Sequence, residues 1–515
     1  MTPAVPLRTW IAVVGSTIGT FMAIINVQIV NASLGDIQGA IGAGMDDGGW
    51  ISTAYLVAEI VAIPLTGWLS QVFSTRRYLI TNVVLFLVFS VACAYARNLE
   101  QMIVLRALQG FCGGVLIPMS FTLIITLLPP ARQPVGTAMF ALAATVAPAI
   151  GPTIGGWLTE TWGWQTIFYV NLAPGALMLV MLWLSLERAP MQLGLLRQGD
   201  WAGIATMALG LSALQIVLEE GNKEDWFGSP FVTRLAIVAA VSLGLFIWIE
   251  LTTAHPFLNL RLFRRRNFTA GALATFLLGL AVYGTVFVLP VYLGQVQGYN
   301  AQQIGLVLAW TGLPQLLVIP FMPRLMRMLD ARWLIAAGFA LFALSNFMNV
   351  AITPDVAADQ LLLPNVVRAI GQALVLTPLT ALSAAGIANE DKGSASALIN
   401  VTRNLGGAIG IALLQTYLTT REYFHFNTLS PSVSPFDEMT RQHIDRLVRY
   451  FLSHGVSDPA VAWHKAVIAI GNRVHHQAYT MAFGDTFFLM GAALIVALLA
   501  ALLLNKPRAF SADAR

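Results

Sequence analysis

The chain consists of long apolar runs joined by short polar links. Fourteen runs are long enough to predict helices that cross a bilayer, at 10–34, 50–70, 78–97, 100–128, 134–158, 167–187, 200–219, 232–252, 268–294, 302–323, 333–352, 361–387, 394–417 and 480–504. A spanning helix needs roughly 20 mainly apolar residues. Backbone exposed to lipid must satisfy its own hydrogen bonds, so such runs are helical. The pattern predicts an all-α, polytopic membrane protein. One link, 418–479, is long. Within it Ile444, Leu447, Val448, Phe451 and Leu452 recur at helical spacing, with Asp445, Arg446 and Arg449 on the other face. That is an amphipathic helix. Asp458 followed by Pro459 then reads as the start of another helix.

Composition agrees. Hydrophobic residues fill 57% of the 515 positions and charged residues only 10%, against about 25% charged in soluble domains. The net charge of +4 does not indicate a nucleic-acid partner, because the basic residues sit mainly in the links between runs and not on one face. They alternate from side to side. Arg76, Arg77, Arg132, Arg188, Arg197, Arg261, Arg264, Arg265, Arg266, Arg324, Arg327, Arg332 and Lys392 share one side, with Lys506, Arg508 and Arg515 in the tail; the other side carries acids such as Asp46, Asp47, Glu219 and Glu220. The positive-inside rule then places both termini in the cytoplasm and 418–479 outside.

The chain echoes itself. Arg77-Tyr78-Leu79-Ile80 returns as Arg332-Trp333-Leu334-Ile335, Arg106-Ala107-Leu108 as Arg368-Ala369-Ile370, and Gly136-Thr137-Ala138 as Gly393-Ser394-Ala395. The shared order and similar offset predict two six-helix bundles, 1–190 and 261–515, with two additional helices in 191–260. Parallel repeats of this size around a central pathway are a transporter architecture.

The densest motif lies in the fifth run, Ala147-Pro148-Ala149-Ile150-Gly151-Pro152-Thr153-Ile154-Gly155-Gly156. Small residues allow close helix approach, and prolines remove backbone donors and bend the helix. The run resembles the antiporter motif of the major facilitator superfamily. Arg106 with Gln109 and Gly110 resembles that superfamily's intramembrane Arg-x-x-Gln-Gly motif. Gly67-Trp68-Leu69-Ser70-Gln71 with Arg76 and Arg77 resembles its gating loop. Asp225-Trp226-Phe227, Leu260-Arg261-Leu262-Phe263 and Thr420-Arg421-Glu422 extend the likeness to fourteen-span drug:proton antiporters of the EmrB/QacA type, nearest the EmrB side. The resemblance implies the major facilitator fold with fourteen transmembrane helices (6+2+6). It implies proton-driven efflux of lipophilic drug-like molecules from the inner membrane. It also implies a periplasmic adaptor protein and an outer-membrane channel as partners, besides protons and membrane lipids.

The sequence departs from that pattern at three places. Where the family has an intramembrane Asp in the first span, this chain has Asn26, ahead of Gln28 and Asn31. An amide cannot titrate, so either another residue couples to protons or the position is fixed in a protonated-like state. Gln71 replaces the acid of the gating loop. Arg368 is an additional intramembrane charge.

Ionisable groups at membrane depth are costly, about 2.5–3.5 kcal/mol on insertion scales, and by default functional. Glu59 is the sole acid near the middle of a run and the candidate proton carrier, with Arg106 as a cavity charge or a helix-bonding strut. Asn26, Gln28, Asn31, Gln109, Arg368, Arg403, Tyr283 and Trp310 are candidate cavity residues. Three mid-membrane arginines against one acid favour neutral compounds or hydrophobic weak acids as substrates. The alternatives are an exporter of a lipid or of a specific metabolite with altered or absent proton coupling, and a non-transport membrane protein. No cofactor or metal is expected: six of seven histidines fall in 418–479 without ligand spacing, and no P-loop, His-Glu-x-x-His or Gly-x-Ser-x-Gly is present. The chain is not read as an enzyme.

Overall fold

The computed structural model describes residues 5–502 except 45–46, 198, 254–255, 384–386, 389–390 and 435. Asp46 and the tail residues Lys506, Arg508 and Arg515 lie outside the described residues. Thirteen helices are long and apolar enough to cross a membrane, and a bent pair makes a fourteenth. They are α1 (Leu7–Ala32), α2 (Trp50–Val72), α3 (Thr75–Cys93), α4 (Leu99–Leu127), α5 (Gln133–Trp162), α6 (Thr166–Ser185), α7 (Trp201–Glu220), α8 (Pro230–Thr252), α9 (Arg266–Gln295), α10 (Gln302–Met328), α11 (Ala331–Met348), α12 (Ala358–Ser383), α13 (Lys392–Leu429) and α15 (Pro459–Leu502). Between the last two lies α14 (Glu438–Ser453).

The links carry the start signals. The side chains of Asn98, Asp200 and Asn300 accept backbone N–H groups at the starts of their helices, and Asn300 completes a capping box with Gln303. Bends fall on prolines: α5 turns by 44° between Gln133–Pro148 and Ile150–Trp162. The echoed tripeptides fall at matching places. Arg77 and Arg332 open α3 and α11, Arg106 and Arg368 lie within α4 and α12, and Gly136 and Gly393 open α5 and α13.

Helices α1–α6 pack on one another, as do α9–α13 with α15, and α5 meets α10 and α2 meets α13 across the centre. The packing of α1 on α5 depends on missing side chains. A Cβ at Gly151 would lie 2.5 Å from Gln28 Cβ, and one at Gly155 would lie 2.9 Å from the Ile29 carbonyl oxygen. The glycines of α5 therefore let α1 press against it, while Thr153 of α5 touches Gly305 of α10. α7 packs on α8, α2 and α13.

The segment expected as a long link is mostly helix. α13 runs 38 residues and α15 runs 44, about 57 and about 66 Å at 1.5 Å per residue, against about 30 Å of hydrocarbon. Both project beyond the apolar runs, which mark only the parts that need lipid. The projecting ends are held together by polar pairs. Arg421 Nε lies 2.6 Å and His425 Nε2 lies 2.7 Å from Asp485 Oδ2, and His475 Nδ1 lies 3.1 Å from Glu422 Oε1. The His475 ring stacks on Phe426. α14 is the expected amphipathic helix, and it packs on α15 with Ile444 buried and Leu452 left exposed.

Candidate functional site

Two adjoining cavities occupy the centre of the bundle. The first, about 590 Å3, is lined by Ile24, Gln28, Glu59, Gln215, Glu219, Tyr283 and Asn404 among others. The second, about 570 Å3, shares Ile24, Gln28 and Tyr283 and adds Pro148, Gln372 and Arg403. Helices α1, α2, α5, α7, α9, α12 and α13 thus meet around one chamber, mostly apolar with a few polar groups, the composition of a small-molecule site. Its charges are separated, with carboxyls on α2 and α7 and a guanidinium on α13.

Glu59 is 7% exposed and faces the first cavity without a hydrogen bond or ion pair among the described residues. Arg403 and Arg106 are the basic groups whose field reaches it. Arg403 donates from Nη2 to Asn400 Oδ1 at 3.2 Å, and its guanidinium lies 5.7 Å from the Phe140 ring.

The remaining candidates divide. Asn26, Arg106 and Gln109 do not line the chamber but form a cluster behind its wall. Arg106 Nη1 donates to Asn26 Oδ1 at 2.8 Å and to Gln109 Oε1 at 2.7 Å, and its Nε donates to the Ile51 carbonyl at 3.3 Å. The guanidinium lies 4.3 Å from the centre of the Tyr55 ring. Arg106 is 0% exposed and its acceptors are all neutral. Arg368, 3% exposed, lines neither cavity; it lies 5.8 Å from the Phe342 ring, and its Nε and Nη1 have no hydrogen-bond partner among the described residues. Two expectations are corrected. Trp310 is 45% exposed and lines neither cavity. Asn31 is exposed near the end of α1, accepting from Ser52 Oγ at 2.5 Å.

The sequence reading missed Gln215, Glu219 and Asn404. Glu219 was assigned to a link, yet it sits in the last turn of α7 and lines the same cavity as Glu59. Gln215 and Glu219 are four residues apart and so share a helix face, a signal the charge-per-link count overlooked.

At the end of the bundle that carries Arg76 and Lys392, Gly67 meets Gly393, where a Cβ on Gly67 would lie 3.2 Å from the Gly393 carbonyl carbon. Lys392 Nζ donates to the Ile125 carbonyl at 3.0 Å. A cavity of about 1000 Å3 at this end is lined by Gly67, Gln71, Arg76, Lys392 and Gly393. Arg76 donates to the Trp183 carbonyl at 2.9 Å, and no ion pair joins Arg76 or Arg77 to an acid among the described residues. This end is thus joined by the Gly67–Gly393 approach and the Lys392–Ile125 hydrogen bond, without an ion pair among the described residues. Among the described residues no three His, Cys, Asp or Glu side chains converge on a metal site.

The family model described as Major Facilitator Superfamily matches residues 16–411. The chain belongs to that superfamily. Within the superfamily it is similar to the colistin resistance protein EmrB of Acinetobacter baumannii, 32% identical over 494 residues, covering 95% of each chain. It is similar to the multidrug export protein EmrB of Escherichia coli K12, 30% identical, covering 96% of this chain and 95% of that one. A solved superfamily member, the proton:xylose symporter XylE, shares the fold at a TM-score of 0.57 with 15% identity, covering 96% of this chain and 94% of that one. The all-helical, multi-pass major facilitator fold expected from the sequence is therefore the fold observed. Membership and the named relatives indicate a transporter.

Proposed function

We propose that this chain exports lipophilic small molecules across a bacterial inner membrane by alternating access, driven by inward proton flow. The observation that carries the reading is the chamber itself: two adjoining apolar cavities, the first of which Glu59 faces unpartnered. The relatives named for multidrug export and colistin resistance support the direction of transport. Glu59 is the proton carrier in this reading, with Gln28, Tyr283 and Arg403 in the substrate wall. The end bearing Arg76, Arg77 and Lys392 faces the cytoplasm with both termini, and the end bearing α14 faces the periplasm. A periplasmic adaptor and outer-membrane channel complete the path, meeting the exposed Phe436 and Met439 at the start of α14.

A second reading, transport with reduced coupling, has one observation in its favour: the acceptor that holds Arg106 from α1 is the amide of Asn26 and not a carboxylate. One experiment addresses both. The purified protein in liposomes is assayed for substrate-dependent proton flux, with Glu59→Gln alongside. The expected outcome is flux in the native protein, loss of flux in Glu59→Gln, and retained substrate binding. Substrate movement without proton flux in the native protein would favour the second reading, and flux unchanged by Glu59→Gln would remove Glu59 from the mechanism.

A further inference from the structure

The first cavity lies between α2 and α13. Leu56, Glu59 and Ile60 line it from one bundle, and Asn404, Ala408 and Ile411 from the other. Toward one end the two helices meet directly, where Gly67 approaches Gly393. Toward the other end, which bears α14, the end of α7 and the turn after it reach both. Glu220, the last residue of α7, accepts from Thr53 Oγ1 of α2 at 3.1 Å. Trp226, in the turn, donates from Nε1 to Thr416 Oγ1 of α13 at 2.9 Å. Thr53 precedes the cavity residues of α2 and Thr416 follows those of α13, so both bonds lie across the cavity from the glycine contact. The helix pair additional to the bundles therefore touches one bundle through Glu220 and the other through Trp226.

The turn holds the indole in place at a conformational cost. The backbone N–H of Trp226 donates to the Gly221 carbonyl at 2.7 Å, and a Cβ on Gly221 would stand 2.7 Å from two carbons of the indole, so the ring lies on that glycine. Two consecutive residues with side chains take the left-handed region, at φ 56° for Asp225 and 51° for Trp226. A Cβ makes that region unfavourable, most of all for a bulky residue, and such strain gathers at clamps and switches. The two bonds differ in strength. Glu220 and Thr53 are both buried, and the Glu220 carboxylate also pairs with Lys223 at 3.3 Å. Trp226 is half-buried and its bond to Thr416 joins two neutral groups. Bonds to charged groups are the stronger class, so the link to α13 is the one that yields first.

We propose that the turn after α7 is a strap between the two bundles: Glu220 anchors it to α2, and Trp226 is a positioning residue whose bond to Thr416 holds α2 and α13 together at the α14-bearing end. This rests on the alternating-access reading, in which that end opens once in each cycle. Opening then breaks the Trp226–Thr416 bond, relieves the left-handed turn, and leaves α7 docked on α2. The strap sets how readily that end opens, while the glycine contact of Gly67 and Gly393 belongs to the opposite end.

The test reads distances between spin labels at Ala40→Cys, in the short helix after α1 (Leu34–Ile41), and Thr420→Cys, on α13, in the purified full-length protein in nanodiscs. Both positions are exposed, and the buried Cys93 and Cys112 are replaced by alanine. Trp226→Phe keeps a ring on Gly221 but removes the donor, and Thr416→Val keeps the shape but removes the acceptor. Each should raise the ratio of wide to narrow distances about fivefold, which is about 1 kcal/mol. The double variant should go no further, because both changes remove one bond. Thr416→Ser, which keeps the hydroxyl, should match the native distribution. Native distances in both single variants, additive shifts in the double variant, or an equal shift from Phe227→Leu at the exposed neighbour would overturn the strap. A fall in Tm with unchanged distances would also overturn it, making the bond structural only. Widening in the variants, with native distances that do not respond to a proton gradient in liposomes, would support the strap and count against alternating access.

Discussion

Two arginines that begin echoed tripeptides, Arg106 on α4 and Arg368 on α12, sit in opposite circumstances. Both are buried at membrane depth. Arg106 is held by Asn26, Gln109, the Ile51 carbonyl and the Tyr55 ring, with only Nη2 unpartnered among the described residues. Arg368 has a phenyl ring at 5.8 Å, and two of its nitrogens have no partner among the described residues. A buried charge without acceptors is costly. The same local sequence thus stabilises one bundle and burdens the other. The difference lies in what the neighbouring helices offer: α1 and α2 present acceptors to α4, whereas α11 presents Phe342 to α12.

The comparison can be broken most directly at Arg106. Arg106→Met would leave Asn26, Gln109 and the Ile51 carbonyl without their donor. Hydrogen bonds to charged groups contribute about 1.5–3 kcal/mol each, and orphaned acceptors add to the loss. The expected outcome is a loss of stability of about 3 kcal/mol or more, read as a large fall in Tm of the detergent-solubilised protein. A fall no greater than that of an exposed substitution would show that the cluster does not hold α1, α2 and α4 together.

Arg368→Met is expected to move the other way. Methionine fills similar space without a charge, so stability should rise by about 1–2 kcal/mol. Measuring transport beside Tm sharpens the contrast. If export falls while Tm rises, Arg368 finds an acceptor in another arrangement of the bundles, and its cost here is tied to function. If Tm falls as far as in Arg106→Met, the two arginines are equivalent and the comparison fails.

How much of this was legible in the sequence follows from what each signal measures. Hydropathy located the helices well because lipid allows few alternatives, but it ended α13 and began α15 at the membrane boundary, since the projecting turns around Arg421 and His475 are polar. The amphipathic stripe of α14 was read correctly as a helix, although periodicity could not say that α15 would pack against it. The small-residue run of α5 foretold a close helix approach, because the absence of Cβ atoms at Gly151 and Gly155 is a property of the sequence. The chamber was only half legible. Glu59 and Arg403 were found because a charge inside an apolar run stands out. Glu219 was not, because it lies in the last turn of α7, where composition cannot distinguish a charge in water from one in a cavity. Trp310 failed for the converse reason, as an aromatic suits lipid and pocket equally.

The smallest effect on stability is expected at Asn26, where the comparison reaches the coupling mechanism. Asn26 Oδ1 already accepts from Arg106 at 2.8 Å. Asn26→Asp would keep that contact and add a full negative charge. The attraction to Arg106 grows, but so does the desolvation cost of a carboxylate in a site that is 1% exposed. These terms nearly cancel in buried pairs, so Tm should change by the equivalent of about 1 kcal/mol or less. Function should change more than stability. Asn26 cannot exchange a proton, so in the proposed mechanism Glu59 carries that task alone. An aspartate beside Arg106 supplies a second titrating group linked to α2 through Arg106 and the Ile51 carbonyl. Proton-driven export in Asn26→Asp should therefore become more strongly pH-dependent than in the native protein. The double variant with Glu59→Gln should not show the sum of the single effects if both carboxyls bias one movement. A pH profile identical to the native one, with additive effects in the double variant, would mean that the Arg106 cluster is a strut and that coupling passes through the chamber wall alone.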